Sequence, residues 1–284
     1  MQKALYQNIL LICKENHQPA FDLAKRIQIW LQERGCSTKL LEESQLSSTP
    51  LLPSTMAIVL GGDGTMIAVG RMLSGRNIPI AGINFGRVGF LTPISSQNWE
   101  TNILSCITGQ AKIQSRTTLK WQLFREERLL TEGEAVNDLV FSHGSLARLI
   151  CADICINEEK IGLVRCDGLI FSTAVGSSGY NASAGGPILL AKTNAFVFTP
   201  ICPYLRSISP LVVPTDTVFT IRIEQFSTPC YLTNDGQEGQ RIQSQDRIEV
   251  KARPNAVLFF GNDEIFLERL RTRTKVLEQT YMPM

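Results

Sequence analysis

A five-residue stretch, Gly61-Gly62-Asp63-Gly64-Thr65, constrains this chain more than any other, because it joins a run of strand length to a run of helix type. Met56-Ala57-Ile58-Val59-Leu60 is short and wholly apolar, and Thr65 followed by Met66-Ile67-Ala68-Val69 reads as a helix start. A glycine-rich strand-to-helix turn belongs to an α/β fold with a parallel sheet, whose ligands sit at the carboxyl ends of the strands. Glycines let the backbone approach a ligand closely, and amides at a helix start attract phosphate oxygens. Gly61, Gly62, Gly64 and Thr65 are therefore candidate phosphate-binding residues. Asp63 would repel the same phosphates unless its carboxylate holds Mg²⁺ or accepts a proton from an attacking hydroxyl, both requirements of phosphoryl transfer. No Gly-Lys-Ser/Thr ending follows, so this is not a Walker A loop. The competing reading is a tight turn in which Asp63 bonds its own backbone.

The flanking sequence repeats the strand and helix alternation. Ile9-Leu10-Leu11-Ile12 is a strand, and Pro19 to Arg34 carries Ala20, Leu23, Ala24, Ile27 and Leu31 at helical spacing, with Gly35 placed to stop it. Ile78 to Ile83 is another strand, ending in Asn84. The texture changes near residue 112. From Arg116 to Arg253 short β-branched and aromatic segments alternate with turns such as Asn157-Glu158-Glu159 and Asn234-Asp235-Gly236, so that part is β-rich. A final helix is expected from Asn262-Asp263 through Ile265, Leu267 and Leu270. The expected domains are 1–112, an α/β phosphate-binding domain to which 257–284 returns, and 113–256, a β-rich domain.

Composition narrows the function classes. A chain of 284 residues with 44% hydrophobic and 19% charged residues can bury a sizeable core. A net charge of only +2, with no basic run interleaved with aromatics, argues against nucleic acid as a partner. The first apolar stretch, Ala4 to Cys13, is broken by Gln7 and Asn8, which suits a buried strand and neither a signal peptide nor a membrane span. Eight cysteines without a Cys-x-x-Cys pair fit free thiols in a reducing cytoplasm. With His17 and His143 as the sole histidines, a histidine-rich metal site is excluded and a Ser-His-Asp triad is improbable.

Three further clusters carry chemistry. Asn84-Phe85-Gly86-Arg87-Val88-Gly89-Phe90-Leu91-Thr92 follows a strand, and its glycines permit an unusual backbone path. Asn137-Asp138 interrupts the apolar pattern Ala135 to Phe141, so either the strand bends there or the pair lies at its end. An amide beside a carboxylate can pair with a base edge and accept from ribose hydroxyls; the alternative is a buried structural pair. Arg165 to Pro187 is rich in small and hydroxyl residues, with Tyr180 offering a ring, Asp167 an acceptor for an exocyclic amine and Arg165 a charge for a pyrophosphate.

In order along the chain, Gly61-Gly62-Asp63-Gly64-Thr65, Gly82-Ile83-Asn84 with Gly86 and Gly89-Phe90-Leu91-Thr92, Asn137-Asp138, Asp167-Gly168, Gly176-Ser177-Ser178, Tyr180-Asn181, Ser183 to Pro187, Thr199-Pro200-Ile201-Cys202-Pro203 and Asp235-Gly236-Gln237 resemble the NAD kinases. These enzymes phosphorylate the adenosine 2′-hydroxyl of NAD. The resemblance implies NAD and ATP as ligands, a divalent metal (Mg²⁺), a β-sandwich-like second domain and a homo-oligomer, dimer or tetramer. It makes Asp63 the proton acceptor, with Gly64 beside the substrate. It places Asn137, Asp138, Arg148, Arg165, Asp167, Ser178, Gly179, Tyr180, Asn181, Ala182, Ser183 and Gln237 at the dinucleotide. It identifies no metal-binding residue. The chain departs from the family's pattern at Arg87, at Ala174-Val175 and at Tyr204, the last standing where histidine is common. Two other readings remain: a lipid or sphingoid-base kinase sharing the glycine turn, and a dinucleotide-binding sensor without catalysis.

Overall fold

Strand β1 (Asn8–Cys13) leads into helix α1 (Gln18–Gln32), β2 (Ser37–Glu42), β3 (Thr55–Leu60), α2 (Asp63–Met72) and β4 (Pro79–Asn84). The structure, a computed structural model, describes residues 4–86, 89–144, 149–224 and 229–261. Arg87, Arg148 and the helix expected from Asn262 lie outside those residues. The chain divides into two compact units, one formed by residues up to Ser115 together with those from Val257, the other by Arg116–Ala256.

The first unit is the parallel α/β layer that the alternation predicts. Its strands run in the order β2-β1-β3-β4, all parallel, and the end of the last long strand lies parallel to β4 with Leu258 opposite Pro79. Every residue of β3 and β4 is buried, the pattern of strands covered on both faces. Helix α1 turns Ala20, Leu23, Ala24, Ile27 and Leu31 inward. Its start is capped by His17, whose Nδ1 accepts from the Ala20 amide at 3.1 Å, and Gly35 at φ 79° follows its end. A short strand β5 (Ile94–Ser95) and helix α3 (Trp99–Ile107) complete the layer, with Trp99 edge-on to Trp30 at 5.2 Å.

The second unit is built from antiparallel strands: β6 (Ile113–Arg125, whose first three residues belong to the first unit), β7 (Arg128–Ala135), β8 (Asp138–His143), β9 (Ile150–Ile156), β10 (Glu159–Cys166) and β11 (Gly168–Thr173). A short helix α4 (Tyr180–Ser183) precedes β12 (Ala195–Ile201), β13 (Leu211–Pro214), β14 (Val218–Ile223), β15 (Cys230–Asn234), β16 (Glu238–Ile242) and β17 (Arg247–Phe260). One sheet runs β13-β12-β11-β8-β15-β16, and facing it lie β10-β9-β14-β17 with β6 and β7. The faces meet through phenylalanines: Phe219 of β14 stands 5.0 Å from Phe171 and 5.4 Å from Phe198, both on the opposing sheet. Burying a ring of this size stabilises the fold by about 1.5–3 kcal/mol. The α/β plus β-rich fold class read from the sequence is the one observed.

All eight cysteines are free thiols, and burial pushes Cys106, Cys166 and Cys230 up to about 12, which leaves them as inert packing groups. Among the described residues no helix is long and apolar enough to cross a membrane.

Candidate active site

Helix α2 begins at Asp63, two residues before the start suggested by the sequence, with Gly62 in extended conformation as its cap. Asp63 thus sits in the first helical turn, where the helix dipole favours an anion. Its carboxylate does not bond its own turn. Oδ2 accepts from the Phe90 amide at 2.7 Å, and Oδ1 accepts from the Leu91 amide at 3.0 Å and the Thr92 hydroxyl at 3.2 Å. Thr92 is oriented in turn by Asn84, whose Nδ2 donates to its Oγ1 at 2.9 Å, while the Asn84 Oδ1 accepts from Gly86. The two motifs are one device: Phe90, Leu91 and Thr92 close on the acid of the glycine turn, and Asn84 orients Thr92.

Close approach explains the glycines. A methyl group on Gly89 would lie 2.0 Å from Asp63 Oδ1, and one on Gly82 would meet Met66 Sδ at 2.8 Å and the Leu91 carbonyl at 2.9 Å. Gly61 is held against Thr65, whose Oγ1 lies 2.7 Å from where its Cβ would be. Thr65 is accordingly buried, so its hydroxyl packs under the turn. Gly62 has open space beside it, the kind of surface a ligand can approach.

The second unit holds a cavity of about 400 Å³ whose lining includes Asn137, Asp138, Val140, Tyr180, Thr233 and Asp235. Strand β7 ends at Ala135 and β8 begins at Asp138, so the polar pair lies at a strand end, one of the two outcomes allowed by its sequence pattern. Asp138, Val140 and Ser142 then share one face of β8 at the period of a strand, and Thr233 stands opposite Val140 on β15. Asn137 Oδ1 is buried without a hydrogen-bond partner. Asp138 is buried too: desolvation first, and then the charge of Asp235, push its carboxyl up to about 7.

Other sequence-assigned residues occupy different places. Tyr180 is half exposed and borders the cavity. Asn181 is fully buried and spends its amide internally, donating to the carbonyls of Ser177 and Pro187 and accepting from the Thr199 hydroxyl at 2.7 Å. These bonds make it an organiser of the Gly176–Pro187 loop. Ser178 is buried, Ala182 half-buried, and Gly179 and Ser183 exposed. Arg165, Asp167 and Gln237 are exposed and do not line the cavity, and Tyr204 is exposed and outside it as well.

Sequence reading missed Asp235 as a site residue because Asn-Asp-Gly reads as a turn, which it is, with Asp235 at φ 53° and Gly236 at φ 63°. Its side chain does more. Ser142 was legible in principle, being the alternate position that follows Asp138 and Val140 on β8, whereas Thr233 comes beside Val140 through strand pairing, which alternation does not reveal. Gly176 presses on Asn137: a Cβ there would lie 2.1 Å from the Asn137 carbonyl oxygen. Gly176→Ala is expected to lower the unfolding free energy by about 1–3 kcal/mol through overpacking. An unchanged urea midpoint would show that the loop yields freely.

The first unit thus carries an acid wrapped at a helix start at the carboxyl end of a parallel strand, and the second carries a cavity with several polar lining residues. Comparison with known proteins shows the family. Residues 53–111 match the ATP-NAD kinase N-terminal domain, and residues 136–260 match the ATP-NAD kinase C-terminal domain. The NAD kinase of Nitratidesulfovibrio vulgaris (strain DSM 19637 / Miyazaki F) is 34% identical over 96% of this chain and 98% of its own. That of Lawsonia intracellularis is 34% identical over 89% of this chain and 90% of its own. Among solved structures, a yeast NADH kinase complexed with NADH shares the fold at a TM-score of 0.82 and 23% identity, over 98% of this chain and 89% of that one. An NAD kinase from Archaeoglobus fulgidus in complex with ATP does so at 0.72 and 24%, over 92% and 96%. The chain belongs to the NAD kinase family, enzymes that phosphorylate NAD.

Proposed function

We propose that the chain transfers the γ-phosphoryl group of ATP, supplied with Mg²⁺, to the adenosine 2′-hydroxyl of NAD, with Asp63 taking the hydroxyl proton. The observation that carries this reading is the match of both halves of the chain, in order, to the two NAD kinase domains. Geometry supports the division of labour. Asp63 has three acceptor positions filled by the Phe90–Leu91–Thr92 segment and keeps one on Oδ2 for an incoming proton. The start of α2, with Gly62 unobstructed, suits ATP phosphates. The cavity of the second unit is lined by Asn137 and Asp138, whose side-chain oxygens can accept from the amines and hydroxyls of a dinucleotide.

Among the described residues no group of three or more His, Cys, Asp or Glu could hold a metal, and most of the capacity of Asp63 is already taken. The described residues thus do not fit a resident metal cage; Mg²⁺ enters as part of the ATP substrate. A lipid or sphingoid-base acceptor would need an apolar pocket, whereas Asn137, Asp138, Ser142, Thr233 and Asp235 set polar side chains beside Val140 and Tyr180 in this lining. A silent sensor would have no use for the ordered Asp63. A homo-oligomer is proposed with the family, and light scattering of the purified protein measures it.

The direct test incubates purified protein with Mg²⁺, ATP and NAD and quantifies NADP; absence of NADP formation overturns the reading. Asn137→Ala separates recognition from structure. Since its Oδ1 is buried without a hydrogen-bond partner in the protein, removing it should leave stability unchanged or raised, yet weaken NAD binding by about 1–3 kcal/mol. Unaltered affinity by calorimetry would return Asn137 to a structural role.

A further inference from the structure

The geometry points to Asp235 as a positioning residue for dinucleotide recognition: its carboxylate fixes the backbone that presents Asn137 and Asp138. This rests on the reading that the cavity beside β8 receives NAD. The Asp235 carboxylate accepts from three successive amides, Val136 at 3.1 Å, Asn137 at 2.7 Å and Asp138 at 3.2 Å. The backbone bond runs the other way as well, from the Asp235 amide to the Asp138 carbonyl at 2.9 Å.

Strand pairing does not explain those contacts. The β8–β15 ladder starts with Leu139 opposite Asn234, so the amides of residues 136 and 137 fall in the gap between β7 and β8. A buried amide left unmatched is costly, and a carboxylate reaching back from the β15–β16 turn matches them with charge-assisted bonds. The carbonyl side of the same segment is held independently. Thr173 donates from Oγ1 to the Val136 carbonyl at 2.7 Å and from its amide to the Asn137 carbonyl at 2.9 Å, with Gly176 packed against the latter.

Residues 136–138 are therefore gripped from two elements far apart in sequence, a degree of constraint beyond what a strand entry needs. What the grip leaves over is the Asn137 Oδ1, a buried and unpartnered acceptor on a residue that lines the cavity. An acceptor kept dry and unsatisfied binds a ligand donor strongly only if it is held still, because a mobile one would find water or backbone instead. The turn type supports the assignment. Asn-Asp-Gly turns need φ above zero at two central residues, which Asn or Gly would meet as well as Asp. The carboxylate is the property the turn does not require.

The test is the kinetics of Asp235→Asn and Asp235→Ala in the full chain with ATP, Mg²⁺ and NAD, together with hydrogen exchange of amides 136–138. In Asp235→Asn one oxygen becomes an amide group that faces donors, so the segment loosens while the turn is kept. The expected result is a rise of about tenfold or more in KM for NAD, corresponding to about 1.4 kcal/mol, with kcat and KM for ATP within about threefold and faster exchange at 136–138. Asp235→Glu, which keeps the charge at a longer reach, should recover part of the NAD affinity. An unchanged KM for NAD in both Asn and Ala variants overturns the proposal, as does a loss of kcat at constant KM. If the parent protein itself makes no NADP, the functional reading fails rather than this assignment; a parent that works beside an indifferent Asp235 variant refutes the assignment alone. Should Asp235→Ala not fold, Asp235→Asn decides.

Discussion

Asp63→Asn is expected to lower kcat for NADP formation by about 10²–10⁴-fold, the usual loss when a general base is removed. The structure adds a second consequence that shape alone would not suggest. The carboxylate accepts from the amides of Phe90 and Leu91 and the hydroxyl of Thr92. An asparagine offers one accepting oxygen and turns its amino group toward these donors, so the wrapping segment is opposed by two like-facing groups. Destabilisation by about 1–3 kcal/mol should accompany the kinetic loss. The two effects are separable through Thr92→Val, which deletes one donor and leaves the carboxylate in place. That variant should show the stability loss while retaining most of kcat at saturating NAD and ATP. Urea unfolding and steady-state assays of both variants decide the matter. Undiminished kcat in Asp63→Asn would remove Asp63 from the chemistry and leave it as the anchor of residues 89–92.

This double service clarifies what the sequence could and could not reveal. The local rules worked where a residue's neighbours in sequence are its neighbours in space. Helix α1 follows from its apolar spacing, and the hairpins at Asn157-Glu158 and Asp235-Gly236 follow from their turn residues, all four at positive φ. Strand β3 followed from an unbroken apolar run. Partners distant in sequence were not legible. Nothing in Gly89-Phe90-Leu91-Thr92 announces that its amides close on a carboxylate 27 residues earlier, and nothing in Asn234-Asp235-Gly236 announces a reach of 97 residues back to Asp138.

The same limit explains the differences among the expected site residues. The stretch Ser178 to Ser183 read as one binding wall because its residues are uniformly small and polar. In the fold its members divide, since a four-residue helix turns Asn181 wholly inward and Tyr180 outward. Polarity marks a residue as able to bind; only the helical turn decides whether it binds a ligand or the loop itself. Arg165 on β10 shows the converse. Alternation sends its neighbours Val164 and Cys166 into the core and so forces Arg165 to the exposed face, away from the cavity beside β8.

Asp138→Asn is expected to make the protein more stable above neutrality, by up to about 4 kcal/mol at pH 8.5. Burial, and then the Asp235 charge, raise the Asp138 carboxyl from 3.8 to about 7, a shift of about three units at about 1.4 kcal/mol each. The sign follows from proton uptake. Below about pH 4 folded and unfolded chains both hold the proton, between about 4 and 7 only the folded chain holds it, and above 7 neither does. The stability associated with the neutral carboxyl is thus fully present at pH 4 and is lost as pH rises through 7. A neutral, isosteric amide has no proton to lose, so its stability curve should be flatter, converging with the parent near pH 4 and exceeding it at pH 8.5. Urea unfolding at pH 4.5, 6, 7 and 8.5 supplies the comparison, and parallel curves for the two proteins would show that Asp138 does not titrate in this range. A carboxyl kept in so unfavourable a place, beside a second carboxylate and on a cavity wall, is stability surrendered at a site where a ligand donor would recover it. NAD should accordingly stabilise the parent more at pH 8.5 than at pH 5, and that gain should shrink in Asp138→Asn.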